Sequence, residues 1–173
     1  IDSGKNNVYN VTVRAADGAL TTCKAVAITV TNVGGEDPVF TSAGTANFAE
    51  NGAGTVYTAA AIPEAGKTLT YAISGADPSL FDINATTGAV TFKSSPNYEA
   101  PADAGGNNVY DLDITASDGT NSATKAVAIS VTNVNEAPVI TSAATASFAE
   151  NASGAVYKVA ATDQDAGATL TYS

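Results

Sequence analysis

The sequence predicts an all-β fold: Greek-key β-sandwich modules of about a hundred residues, joined in tandem. Three observations lead there. Short stretches alternate strictly between apolar and polar residues, as a half-buried strand requires. Gly, Asn, Asp and Pro separate those stretches. The whole pattern then recurs at a fixed period: Val8-Tyr9 returns as Val109-Tyr110 and Asp17-Gly18 as Asp118-Gly119, each 101 residues on, while Phe48-Ala49-Glu50-Asn51 returns 100 residues on as Phe148-Ala149-Glu150-Asn151. A fixed period marks an array of modules. The expected pieces are the C-terminal half of one repeat (1–37), one complete repeat (38–137) and the N-terminal half of the next (138–173), an excerpt of a longer tandem protein.

The elements follow in order. Tyr9, Val11, Val13 and Ala15 form one apolar row, and Asp17-Gly18 is a hairpin turn signal. Pro38 follows an acidic, amide-rich stretch, Asn32 to Asp37, and ends the first piece because proline disrupts a strand ladder. In the complete repeat a short edge segment ends at Phe48, just before Glu50. Strands are expected at 56–59, 69–73, 81–83 and 89–92, the last two linked by the turn Asn84-Ala85-Thr86-Thr87-Gly88. Tyr110, Leu112, Ile114 and Ala116 should face a core, with Asp111, Asp113 and Thr115 in water. Val127, Ile129 and Val131 supply the facing row of the next strand. Seven or so strands in about a hundred residues suggest an immunoglobulin-like sandwich. The linker Asn133 to Ala137 is short and ends at Pro138, so neighbouring modules must nearly touch.

Composition narrows the function. The 173 residues carry 17 acidic and 7 basic side chains, a net charge of −10, with no His and a single Cys. That surface repels nucleic acid and anionic membranes and favours cations. No apolar run is long enough to span a bilayer. Cys23 becomes Thr124 one period on, so disulfides do not hold the repeat together, and the ligands of a zinc site are missing. Without His or a phosphate-binding loop, no catalytic constellation is visible, and the chain is read as not an enzyme.

The ordered motifs resemble cadherin repeats across the whole chain. They run Phe-Ala-Glu-Asn, Phe-Asp-Ile-Asn-x-x-Thr-Gly-x-Val, Asn-Tyr-Glu, Tyr-x-Leu-x-Ile-x-Ala-x-Asp-Gly, Asn-Val-Asn-Glu-Ala-Pro and Asp-Gln-Asp-Ala-Gly. They look most like the bacterial cadherin-like repeats of large secreted surface proteins and adhesins. The resemblance implies calcium ions between successive repeats. By the same resemblance the ligands would be Glu50; Asn97 and Glu99 of Asn97-Tyr98-Glu99; Asn133, Asn135 and Glu136 of the linker; and Asp163 and Asp165 of the next repeat. Asp118 would serve the junction upstream of its own repeat. Asn97 stands where the family has an acidic ligand, and the linker is one residue shorter than the family's.

The residue types point the same way without the family. Calcium takes six to eight hard oxygens from carboxylates, amides and carbonyls. Five carboxylates converging at one pole of a sandwich repel one another unless a cation intervenes. At the upstream junction Asn32, Glu36, Asp37 and Asp118 are on offer, but Pro63-Glu64 stands where the next repeat has Asp163-Gln164-Asp165. Calcium binding there should be weak or absent. The loop Asp103-Ala104-Gly105-Gly106-Asn107-Asn108 and its counterpart Asp2 to Asn7 could hold a cation through Asp103 and Asn107, or could simply turn the chain.

The expected function is a calcium-stiffened extracellular spacer or stalk of a surface adhesin or fibre, serving cell-surface adhesion or biofilm structure. Its partners would be neighbouring repeats of the same protein, with homotypic fibre contacts through sheet edges. The alternative is a polysaccharide-binding module. Tyr57, Tyr98 and Tyr157 would be its stacking faces, Tyr57 and Tyr157 being more naturally packed in a strand; Trp, the usual sugar platform, is absent.

Overall fold

The computed structural model describes residues 7–31 and 35–173. Most of the loop from Asp2, and Asn32, lie outside the described residues. The chain divides into two compact units, Ile1–Glu36 and Asp37–Ser173.

The first unit is a hairpin. Strands β1 (Val8–Ala16) and β2 (Thr21–Thr29) pair antiparallel from Val8↔Thr29 to Ala16↔Thr21. Asp17 closes the turn: its Oδ1 accepts the N–H groups of Ala19 at 3.0 Å and Leu20 at 2.7 Å. The apolar row Tyr9, Val11 and Val13 lies open to solvent, and Cys23 is an exposed free thiol.

The second unit holds the sandwich. Its strands are β3 (Val39–Phe40), β4 (Thr45–Ala49), β5 (Thr55–Thr58), β6 (Ala61–Ile62), β7 (Thr70–Gly75), β8 (Phe81–Ile83), β9 (Ala89–Phe92), β10 (Val109–Ser117) and β11 (Ser122–Thr132). One sheet runs β4-β11-β10-β7 and the other β5-β9-β8, with β3 paired to β6. This is the expected all-β sandwich, with one refinement. Its first two strands are each broken in two, because the Ala60 carbonyl accepts the N–H groups of Thr41 (2.9 Å) and Ser42 (3.2 Å) at the point where the chain crosses between sheets.

The core is the set of inward rows. Tyr110, Leu112, Ile114 and Ala116 of β10 and Val127, Ile129 and Val131 of β11 are buried against Val56, Tyr57, Phe81 and Val90. Burial of that apolar surface is the main stabilising term. Phe92 packs between rings, 4.2 Å from Phe81 and 5.0 Å edge-on from Tyr110. Tyr57 belongs to this core, and its hydroxyl donates within reach of Ser42 Oγ at 2.8 Å and the Ala43 carbonyl.

The 138–173 segment repeats the local pattern. Strands β12 (Val139–Ile140) and β13 (Ala161–Thr162) pair as β3 and β6 do. Tyr157 bonds Ser142 Oγ at 2.8 Å and the Ala143 carbonyl, as Tyr57 bonds Ser42 and Ala43. Asn51 and Asn151 both take positive φ (58° and 62°). Phe148, Val156, Tyr157 and Tyr172 remain exposed.

Candidate metal centre

Strand register builds one pole of the sandwich. Strands β4 and β11 run parallel, with Phe48 beside Val131 and Ala49 beside Thr132. The next residue of each strand leaves the sheet at the same level, so Glu50 meets the linker that starts at Asn133. Its own N–H donates to the Thr132 carbonyl at 3.0 Å. Glu50 is 2% exposed, and its side chain is a staple: Oε1 accepts the Val134 N–H and Oε2 the Tyr98 N–H, each at 2.8 Å. Asn51 adds a second tie through its N–H to the Pro96 carbonyl at 2.9 Å. Together these bonds draw the 96–100 loop and the linker onto one spot.

Glu99 and Glu136 complete the centre. Glu50, Glu99 and Glu136 each bring a carboxylate oxygen to within 4.8 Å of the others. Glu99 Oε1 accepts the Asn133 amide at 2.7 Å, and Glu136 Oε1 accepts the Asn51 amide. Glu99 Oε2 and Glu136 Oε2 are buried and have no hydrogen-bond partner. Burial pushes the Glu136 carboxyl above its usual range, and the charges of Glu50, Asp165 and Glu99 push it further; the Asn51 amide pulls the other way.

The next segment closes over this cluster. The pairing Val139↔Thr162 sets the 163–168 loop beside the linker. Asp165 Oδ2 accepts the Glu136 N–H at 2.8 Å and its Oδ1 the Asn133 amide at 3.0 Å. Asp163 turns inward on its own loop, its Oδ1 accepting the Asp165 N–H at 3.0 Å. Asn97 likewise acts locally, with Oδ1 on the Ala100 N–H (3.0 Å) and its amide donating to Gln164 Oε1 (3.2 Å). The Asn135 amide donates to the Glu136 carbonyl at 2.9 Å.

Asp118 is elsewhere. It sits in the turn between β10 and β11, and the length of that hairpin separates it from Glu50. Its Oδ1 accepts the Thr120 and Asn121 N–H groups at 2.9 and 2.8 Å. Those bonds, Asn121's first, hold its carboxyl below the usual range, with Lys67 adding to the effect. Glu36 and Asp37 are exposed. Asp103 resolves as a turn-former: Oδ2 accepts the Asn107 N–H and Oδ1 the Asn108 N–H, both at 3.0 Å.

Two neighbours were not foreseen from sequence. Asn51 reaches the centre through its amide, which donates to Glu136, and Gln164 reaches only the adjoining Asn97. The recurrence of Asn51 inside Phe-Ala-Glu-Asn was the available signal for the first; for Gln164 there was none beyond its place between two aspartates.

No protein-family model matches the chain. Over 77 residues, 42% of the chain, it is 42% identical to halomucin of Haloquadratum walsbyi, and it spans 1% of that protein. Among solved structures it is similar to extracellular cadherin domains 3–6 of protocadherin gamma B2 (TM-score 0.62, 21% identity, 93% of this chain and 44% of that one). Domains 3–6 of protocadherin gamma B7 match with a TM-score of 0.60 and 24% identity over 93% of this chain and 44% of that one. Mouse cadherin-23 domains 22–24 match with a TM-score of 0.57 and 23% identity, covering 75% of this chain and 44% of that one. The chain thus has a cadherin-like fold and spans less than half the length of each of these structures.

Proposed function

We propose that the chain is part of a calcium-stiffened, extracellular tandem-repeat spacer of a surface adhesin or fibre, with modules bounded at 1–37, 38–137 and 138–173. The observation that carries this is the pair of buried, unpartnered carboxylate oxygens of Glu99 and Glu136 beside Glu50. Buried carboxylate oxygens without a donor are costly, and several in one place more so. A hard divalent cation removes both costs and suits an all-oxygen donor set.

In this reading Glu50, Glu99, Glu136 and Asp165 would hold the ion, and Asn133, Asn135, Asn97 and Asp163 would add oxygens to it only by exchanging the local partners that they have without it. The bound ion supplies positive charge that neutralises the cluster. The chain supplies the geometry: Glu50 ties the 96–100 loop to the linker, and Asp165 ties the linker to the segment that follows. Because the ion would touch both sides of the linker, its binding would order the seam between successive modules. Fold likeness to cadherin ectodomains and the halomucin match support a surface or extracellular setting.

The test is a thermal melt of the chain with calcium and with chelator. Calcium should raise the melting temperature, and Asp165→Ala should remove most of the rise. Superimposable melts would end the proposal. A polysaccharide role finds less support, since Tyr57 is core and its hydroxyl is engaged.

A further inference from the structure

One turn occurs twice in the second unit with different electrostatics. After β13 the chain reads Asp163-Gln164-Asp165-Ala166-Gly167-Ala168; after β6 it reads Pro63-Glu64-Ala65-Gly66-Lys67. The backbone is the same. Ala168 N–H donates to the Asp165 carbonyl at 3.2 Å and Lys67 N–H to the Glu64 carbonyl at 3.0 Å. Gly167 and Gly66 take φ of 85° and 82°. Superposing the turns sets Glu64 on Asp165 and Lys67 on Ala168, while Pro63 replaces Asp163-Gln164. The loop's formal charge therefore goes from −2 to 0.

The ammonium gained is directed at the Asp118 turn. Lys67 Nζ donates to Thr120 Oγ1 at 3.1 Å, two residues from Asp118. Asp118 is 8% exposed, and its Oδ2 is buried without a hydrogen bond. Positive charge nearby stabilises such an oxygen; Lys67 brings it to the turn through the Thr120 hydroxyl rather than through a direct ion pair with Asp118. The corresponding turn of the first unit lacks the hydroxyl that anchors Lys67, having Ala19 in place of Thr120.

We infer that Lys67, anchored on Thr120, is the resident cation of the Asp118 pole of the central module, supplying beside that carboxylate the positive charge that a divalent metal would supply at the Glu50 pole, so that the Asp118 pole needs no metal. Only the contrast between poles rests on the calcium reading; the role of Lys67 stands on its own geometry.

The experiment uses the whole chain stripped of metal. Lys67→Met should lower the melting temperature in chelator at low salt by roughly 1–4 °C. Molar salt should shrink that loss, and Lys67→Arg should restore most of it. In the wild-type chain, amide NMR signals of residues 118–121 should not move as calcium is added. Three results would overturn the inference: a Lys67→Met melt identical to wild type at low salt, a loss unaffected by salt, or a saturable calcium shift at Thr120 and Asn121. Shifts at Tyr98 and Val134 report on the Glu50 pole alone, so failure of the calcium reading is seen separately.

Discussion

Glu50 Oε1 accepts the Val134 N–H at 2.8 Å, joining residues 84 positions apart just beyond the end of β11. The bond makes Glu50 a structural residue before any ion arrives. Its second oxygen is also committed to backbone, at Tyr98. Glu50→Ala would leave two N–H donors unpaired at a buried position. We expect a loss of roughly 2–4 kcal/mol in denaturant unfolding of the metal-free chain. A loss near zero would mean that water replaces both bonds.

Acid should stabilise the Glu136 region when metal is absent. The Glu136 carboxyl is raised above 4.5 by burial and by neighbouring carboxylates. A raised acid contributes stability that is full below its unfolded value and lost as pH rises through the folded one. Melting temperature in chelator should therefore fall for this reason as pH climbs from about 4.5. Glu136→Gln should flatten that fall, and an unchanged profile would contradict the assignment.

Asp118 should behave in the opposite sense. Its carboxyl is lowered from 3.8, chiefly by the Asn121 and Thr120 N–H groups. Its stabilisation is present above 3.8 and lost as pH falls through the lowered value. Asp118→Ala should lower the melting temperature at neutral pH and have less effect in strong acid. Paired melts of variant and wild type at the two pH values check this.

Gly88 tests the turn between β8 and β9. It has φ of 70°, and a Cβ there would lie 2.4 Å from the Ala59 carbonyl oxygen. The Gly88 N–H bonds Asn84 and its carbonyl receives the Ala59 N–H, so the position cannot shift freely. Gly88→Ala should cost more than about 1 kcal/mol in chemical denaturation.

Much of the fold was legible because it is written locally. The alternation Tyr110 to Ala116 and Val127 to Val131 emerged as two fully buried rows, since a period of two fixes which face each residue takes. Asp17 and Asp118 were readable as turn residues for the same local reason. The break between β3 and β4 was not, because it depends on Ala60, nineteen residues from Thr41. The meeting of Glu50, Glu99 and Glu136 is what the resemblance to cadherin repeats implied, whereas the use each side chain makes of its atoms was not implied by it. Asn97 donates its amide to Gln164, Asn133 donates its own to Glu99 of the cluster, and Asp163 accepts the Asp165 N–H within its own loop, partners that only the folded chain brings into reach. Lys67 gave no sequence signal as a partner of Thr120; only the folded register brings residues 53 apart together.

The most direct measurement is a calorimetric titration of calcium into the chelator-stripped chain, beside the Glu99→Gln, Glu136→Gln double variant. The account predicts saturable binding heat in the wild-type chain that disappears in the variant while its fold, judged by circular dichroism, persists. No heat in the wild-type chain, or the same heat in both, would contradict it.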